Sequence, residues 1–233
     1  MKIKELTPKQ LAAYFDHSVL QPFNTMADYD KHIDECLRYG FFSAAVNSHI
    51  IPYYVKRLEG SGIPVGASIG FPFGQANIRG KVEEARAAIE EGAKELDYVL
   101  NISRLLHGDR DYIKDEMLRL VDLSHSKGIV LKVILENCYL EEKHKVMACE
   151  VAVETGIDYV KTSTGFGTGG AVAEDIKLMR SVVGDKVKVK ASGAMRNLDI
   201  TATMVELDVD RIGSAFSAII MEAFIAAKED GSL

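Results

Sequence analysis

The sequence predicts an α/β protein built as a closed (β/α)8 TIM barrel, and three observations carry that prediction. Short apolar, β-branched runs alternate with longer segments of helical period from one end of the chain to the other, the pattern of strands and covering helices. The runs number eight. The chain has 233 residues, a little short of the ~250 typical of eight βα units closed on themselves. An open, doubly wound sheet is the alternative.

In chain order, the strands are expected at Tyr14–His17, Ser43–Asn47, Pro64–Ile69, Glu95–Asn101, Ile129–Leu135, Asp158–Thr162, Lys186–Ala191 and Asp210–Gly213. Between the first two, Thr25 followed three residues later by Asp28 resembles a capping box and marks a helix start. Gly40, Gly92, Gly128 and Gly156 each fall at a helix end just before an expected strand. Ile78, Val82, Ala85 and Ile89 recur at helical spacing, as do Ile176, Met179 and Val183, so each set lines one helix face. The five prolines are scattered and no linker interrupts the alternation, so residues 1–233 read as a single barrel domain.

Composition narrows the partners. The chain is 47% hydrophobic, and its Lys+Arg count of 28 against Asp+Glu 34 leaves a formal charge of −6 with no basic tract, which argues against nucleic acid. No apolar run is long enough to cross a bilayer, and the N-terminal residues lack a signal-peptide pattern, so a cytoplasmic protein is expected. Cys36, Cys138 and Cys149 are odd in number and far apart, which fits a reducing compartment.

The most informative residues are three lysines, Lys132 in LKVIL, Lys161 in DYVKTST and Lys190 in VKVKAS, each inside or ending an expected strand and separated by 29 residues in both steps. One βα unit takes ~30 residues, so this spacing predicts similar heights on three adjacent strands, all facing one interior. A single strand lysine ordinarily faces water. Three in register inside a sheet covered by helices have little water to reach, and their charge needs a partner or a purpose. Chemistry supplies one, because an amine attacks a carbonyl only when neutral. A second ammonium nearby together with partial desolvation brings a lysine down to about 7–8. Lys190 beside Lys161 is placed to have that effect. Asp97 in KELDYVLNI is the acidic counterpart, able to pair with Lys132 or Lys190 or to pass protons through water, and Asp16 in the first strand is a second acid.

At these residues the chain resembles the deoxyribose-phosphate aldolase family, whose members cleave 2-deoxyribose 5-phosphate to acetaldehyde and glyceraldehyde 3-phosphate. The matching pieces are DHSVLQP from Asp16, IGFPFG from Ile69, ELDYVLNI from Glu95, LKVILE from Leu131, DYVKTSTGFGTGGA from Asp158, VKASGAMR from Val189 and RIGS from Arg211. The resemblance implies Lys161 as the Schiff-base nucleophile, Lys190 as the cation that depresses its pKa, Asp97 as partner in proton relay and Lys132 as support for that network. It also implies substrate contacts from Asp16, Ser18, Asn47, Thr162, Gly165, Gly193, Ala194, Gly213 and Ser214. The implied substrate is a small aldehyde or sugar phosphate, with no metal, no cofactor and a possible homo-oligomer.

Two loops depart from the family. Members commonly read Gly-Gly-Ile/Val-Arg after the second lysine, where this chain has Gly193-Ala194-Met195-Arg196, and paired serines after Arg-Ile-Gly, where it has Ser214-Ala215-Phe216-Ser217. Gln21 stands where the family often has lysine. Both loops follow the last two strands, where barrels often hold phosphate, so a narrowed cradle and an aldolase acting on an unphosphorylated or differently substituted aldehyde are expected as an alternative.

Three rival functions are open to test. Gly165-Phe166-Gly167-Thr168-Gly169-Gly170 satisfies GxGxxG, but an acidic residue to hold a ribose is missing at the end of the next strand. A metal-dependent aldolase needs close ligand pairs, which the six histidines do not form in sequence, although His17 and His49 are placed to line the mouth. A non-catalytic sugar-binding relative keeps the barrel and loses turnover, yet this chain retains Lys161, Lys190, Lys132 and Asp97 together.

Overall fold

The structure is a computed structural model that describes residues 2–233. Eight parallel strands close into a barrel in sequence order. They are β1 Phe15–Val19, β2 Ser43–Asn47, β3 Val65–Ile69, β4 Glu95–Val99, β5 Val130–Ile134, β6 Tyr159–Lys161, β7 Lys188–Ser192 and β8 Arg211–Ser214. Closure is completed by pairing of β1 with β8, Asp16 opposite Gly213. The helices are α1 Pro8–Ala12, α2 Met26–Tyr39, α3 Ile51–Arg57, α4 Ile78–Glu90, α5 Ile102–Leu106, α6 Arg110–His125, α7 Glu142–Thr155, α8 Ala173–Val183, α9 Leu198–Glu206 and α10 Ser217–Glu229. The closed sheet removes the open-sheet alternative, and with it the switch-point crevice of a doubly wound sheet.

Each expected strand is present, with ends moved by a few residues for local reasons. β4 stops at Val99 because Asn101 leaves the sheet to cap α5, its side-chain oxygen accepting the Arg104 N–H at 3.1 Å. β6 is shorter than expected because its flanks bond sideways. The Asp158 carboxylate accepts the Leu131 N–H at 2.8 Å, and the Thr162 hydroxyl accepts the Ser192 N–H at 3.0 Å. Thr25 and Asp28 form the capping box that starts α2. On α8 the deduced face is buried at Ile176, Met179 and Val183. On α4 the buried face is centred instead on Lys81, Ala85 and Ala88. Hydropathy cannot anticipate Lys81, which is buried because it donates to the Val99 carbonyl and to Glu116, each at 2.7 Å.

Alternation along the strands separates two interiors. Ala44, Val46, Leu96, Leu131, Val160 and Val189 face the helices and are buried. The intervening residues face the barrel axis, and there the core is charged: Asp16, Glu95, Asp97, Lys132, Lys161, Lys190 and Arg211 are all at least nine-tenths buried. Lys161 and Lys190 are direct partners across β6 and β7, whereas the partner of Lys132 is Tyr159, one layer deeper. Equal sequence spacing therefore did not mean equal height for Lys132, because neighbouring strands of a tilted barrel are staggered. The stagger puts Lys132 under the other two lysines and not beside them.

Candidate active site

A cavity of about 400 Å³ opens at the C-terminal ends of the strands, with Lys161, Lys190 and Asp16 on its floor. Its walls come from the loops after β1, β6, β7 and β8. Lys161 and Lys190 donate to the same oxygen of Asp97, Oδ2, each at 2.7 Å. Asp97 Oδ1 accepts from Lys132 at 2.8 Å, so one carboxylate holds all three lysines. Lys190 also donates to Asp16 Oδ2, and Lys132 donates to Glu95 Oε2 at 2.7 Å. Arg211 holds the other oxygen of Asp16 at 3.0 Å.

These contacts set the protonation states. Burial brings the Lys161 amine down to about 8 from its ordinary 10.5; Asp97 opposes that fall, and the charges on Lys190 and Lys132 assist it. Desolvation is thus the larger cause and the neighbouring ammonium the smaller, the reverse of the emphasis that the sequence suggested. Burial also penalises charge on Lys132, but Asp97, Glu95 and Asp16 outweigh it and hold that ammonium well above its usual range. Burial raises Asp97 and Asp16, yet the surrounding cations prevail, keeping Asp97 well below the usual carboxylate range and Asp16 at about 2. Lys161 is the cation poised to shed its proton near neutral pH.

The remaining expected contacts divide into two groups. Ser18, Gly165, Gly193, Ala194, Gly213 and Ser214 line the cavity with Asp16. Asn47 and Thr162 do not. Asn47 donates to the Leu20 carbonyl at 3.2 Å, steadying the loop after β1, and Thr162 is a buried clasp between the ends of β6 and β7. His17 lies at the cavity edge on the other face of β1 from Asp16, bonded to Glu35 at 2.9 Å and stacked on His32 with ring centroids 4.2 Å apart. His49 lies off the cavity, against the Tyr29 hydroxyl at 3.4 Å. Among the described residues, no group of three or more His, Cys, Asp or Glu is arranged to hold a metal.

The glycine run after β6 serves loop packing. A methyl at Gly170 would lie 2.3 Å from the Gly193 carbonyl carbon, so the loops after β6 and β7 cross in direct backbone contact. Ala194 adopts φ 57°, a left-handed conformation that favours glycine, and it lines the cavity. The Ser214 hydroxyl is already committed, donating to the Met195 carbonyl at 2.6 Å and accepting the Phe216 N–H at 2.8 Å. Phe216 lines the cavity at 38% exposure and does not turn toward the helices. The Arg196 guanidinium sits 5.6 Å from its ring centre and brings a cation to the same wall.

Glu95, Arg211, Thr164, Phe166, Ser192 and Arg196 were not singled out by the sequence. For Glu95 a signal existed, since it lies two residues before Asp97 in one strand and so shares its face. Arg211 entered only as the start of the RIGS piece, because its distance from Lys190 breaks the 29-residue rhythm.

A closed barrel whose open end presents a buried, readily deprotonated amine is an arrangement suited to chemistry on carbonyl compounds. The chain belongs to the DeoC/LacD family aldolases, whose sequence model matches residues 11–211, and it is accordingly an aldolase, an aldehyde-lyase. It is 45% identical over 218 residues to a deoxyribose-phosphate aldolase of Thermococcus gammatolerans, covering 91% of this chain and 95% of that protein. A deoxyribose-phosphate aldolase of Bacteroides thetaiotaomicron is 43% identical over 227 residues, covering 97% and 95%. Among solved structures, the tetrameric deoxyribose phosphate aldolase from Aeropyrum pernix superposes with a TM-score of 0.88 at 31% identity, covering 94% of this chain and 93% of that one.

The pKa displacement of Lys161 has a consequence for stability. Between pH 8 and 10.5 the unfolded chain binds a proton at this residue that the folded chain does not, so stability rises with pH across that window. Below pH 8 both states are protonated and the buried ammonium is destabilising by about 3 kcal/mol. Lys161→Met is therefore expected to melt higher than the wild type at pH 7, on the order of 5 °C, with the gap closing toward pH 10. Thermal melts across that range check it; a variant that melts lower at every pH contradicts the burial account.

Proposed function

We propose that the enzyme cleaves 2-deoxyribose 5-phosphate reversibly to acetaldehyde and glyceraldehyde 3-phosphate through a Schiff base on Lys161. The observation that carries this reading is the Lys161 amine at the cavity floor, buried, brought to about 8 and sharing one Asp97 oxygen with Lys190. Relatives at 43–45% identity are deoxyribose-phosphate aldolases, which supports the substrate.

In this reading neutral Lys161 attacks the C1 carbonyl of the open-chain sugar, and loss of water leaves an iminium. A base takes the C3 hydroxyl proton, the C2–C3 bond breaks, and its electrons move into the iminium to give an enamine. Protonation at C2 and hydrolysis then release acetaldehyde and free Lys161. Asp97 and Lys190 are the proton-handling pair, acting through water, a role worth typically 10²–10⁴-fold. While Lys161 is neutral, Asp97 has lost one of its three cations and holds a proton more readily than in the resting state. Lys132, with carboxylates from both Glu95 and Asp97, stays charged and fixes Asp97. Ser18, Gly165, Gly193, Gly213 and Ser214 are assigned to the substrate's walls, and Asn47 and Thr162 to holding those walls.

We also read residues 1–233 as one barrel domain and the protein as cytoplasmic, a location that suits free cysteines at Cys36, Cys138 and Cys149. Oligomerisation is supported by the tetrameric relative and is checked by sedimentation at working concentration.

Treatment with acetaldehyde and borohydride is expected to fix a covalent adduct on Lys161 and to end turnover. Lys161→Arg is expected to lose both adduct and activity, since a guanidinium does not become a neutral nucleophile at working pH. Peptide mass mapping checks it; an adduct that persists on another lysine contradicts the assignment.

The second expectation concerns the phosphate end. Ala194 and Phe216 crowd the wall where a cradle would form, and the Ser214 hydroxyl is spent within the loop. A built anion site with several charge-assisted hydrogen bonds contributes about 3–5 kcal/mol. Here Arg196 is the cation lining that wall. The preference for 2-deoxyribose 5-phosphate over 2-deoxyribose in kcat/KM is expected to rise by roughly ten- to a hundredfold in Ala194→Gly/Phe216→Ser. An unchanged ratio shows that backbone groups already carry the phosphate.

A further inference from the structure

The charges beneath Lys161 close on themselves. From Asp97 Oδ1 the chain of contacts runs to Lys132 at 2.8 Å, from Lys132 to Glu95 Oε2 at 2.7 Å, and from Glu95 Oε1 to Arg211 Nη2 at 4.0 Å. From Arg211 Nη1 it continues to Asp16 Oδ1 at 3.0 Å, from Asp16 Oδ2 to Lys190, and from Lys190 back to Asp97 Oδ2 at 2.7 Å. Three carboxylates alternate with three cations, and every member is at least nine-tenths buried. Lys161 is outside this ring, attached to it through Asp97 Oδ2 alone.

The rest of the lumen does not alter the balance. β2 and β3 bring only Ser43, Ala45, Gly66 and Ser68 toward the ring by register, none of which carries charge. From below, β6 and β7 bring Tyr159, whose ring centre is 5.8 Å from Lys132 Nζ, and Lys188, an exposed cation over that ring.

We propose that Arg211 and Glu95 are positioning residues that close this ring at zero net charge and thereby make Lys161 the single surplus cation of the barrel interior. Neither lines the cavity, so neither touches substrate; Arg211 acts through Asp16, and Glu95 through Lys132. The proposal rests on the reading of Lys161 as the Schiff-base amine and adds what selects that lysine over its neighbours. A neutral ring offers the Lys161 ammonium no net counter-charge, and its proton leaves without exposing an unpaired carboxylate. Take away the Arg211 charge and the ring becomes negative, which retains the proton. Take away the Glu95 charge and the ring becomes positive, which expels it.

The two substitutions therefore act with opposite sign, and together they cancel. A merely structural role for either residue gives no such pattern. The test measures the rate of acetaldehyde trapping by cyanoborohydride on Lys161 against pH, in the full-length wild type, Arg211→Met, Glu95→Gln and the double variant. The midpoint is expected to move up by about one pH unit in Arg211→Met, down by about one in Glu95→Gln, and back to within about half a unit of wild type in the double variant. Arg211→Lys, which keeps the charge, is expected to hold the wild-type midpoint. Shifts of the same sign, an unmoved midpoint, or a double variant displaced further than either single one overturn the ring. If Arg211→Met does not fold, the fall in Glu95→Gln and the return in the double variant, or their absence, decide the matter. A wild type that forms no adduct at Lys161 removes the Schiff-base reading and not the ring. In that case the pH dependence of Lys161 acetylation by acetic anhydride, read by mass spectrometry in the same proteins, gives the midpoints, and the same signs uphold or overturn the proposal.

Discussion

Burial of charge on the barrel axis is the constraint from which the other features of the site follow. Taking one ion out of water costs several kcal/mol even after relaxation, and the loss is recovered only by partners in good geometry. Asp97 meets that demand for three lysines at once, at 2.7 to 2.8 Å. A carboxylate so placed is held ionised, and the lysines compete for its two oxygens. Lys132 wins a second acid in Glu95 and Lys190 a second in Asp16, while Lys161 has Asp97 alone. Lys161, with the fewest partners, suffers burial with least compensation, and its amine is brought down to about 8.

The fold makes this concentration of charge sustainable. Two apolar layers, the outward faces of the strands and the inward faces of the helices, surround the polar axis, so the hydrophobic core of this protein is a shell. Closure matters as well, because β1 brings Asp16 beside β7 and β8 only when the sheet meets itself. In an open sheet Asp16 would sit at an edge, away from Lys190 and Arg211.

Much of this was legible in the sequence. The eight strands showed as apolar runs, and the three lysines stood out inside them by their equal 29-residue spacing. What periodicity could not supply was stagger. Lys132, Lys161 and Lys190 are equally spaced in sequence, yet Lys132 sits a layer below because the strands tilt. Glu95 and Arg211 were passed over for related reasons, since one was masked by its more prominent neighbour and the other pairs across the seam of closure. Asn47 and Thr162 were expected at the substrate from the family resemblance, whereas their side chains donate to the Leu20 and Ser192 carbonyls, a direction that only tertiary structure sets. At Ala194 the backbone holds the glycine-like conformation that the family pattern leads one to expect, while carrying a methyl.

One physical claim underlies the site: Lys161 loses its proton near neutrality while Lys132 beneath it remains charged. The most direct measurement is an NMR titration of the wild-type enzyme with 13C at the lysine ε-carbons, the Lys161 signal identified by its loss in Lys161→Arg. This signal is expected to titrate near pH 8, and the Lys132 signal to show no titration below its ordinary 10.5. A Lys161 midpoint at or above 10.5 would contradict it.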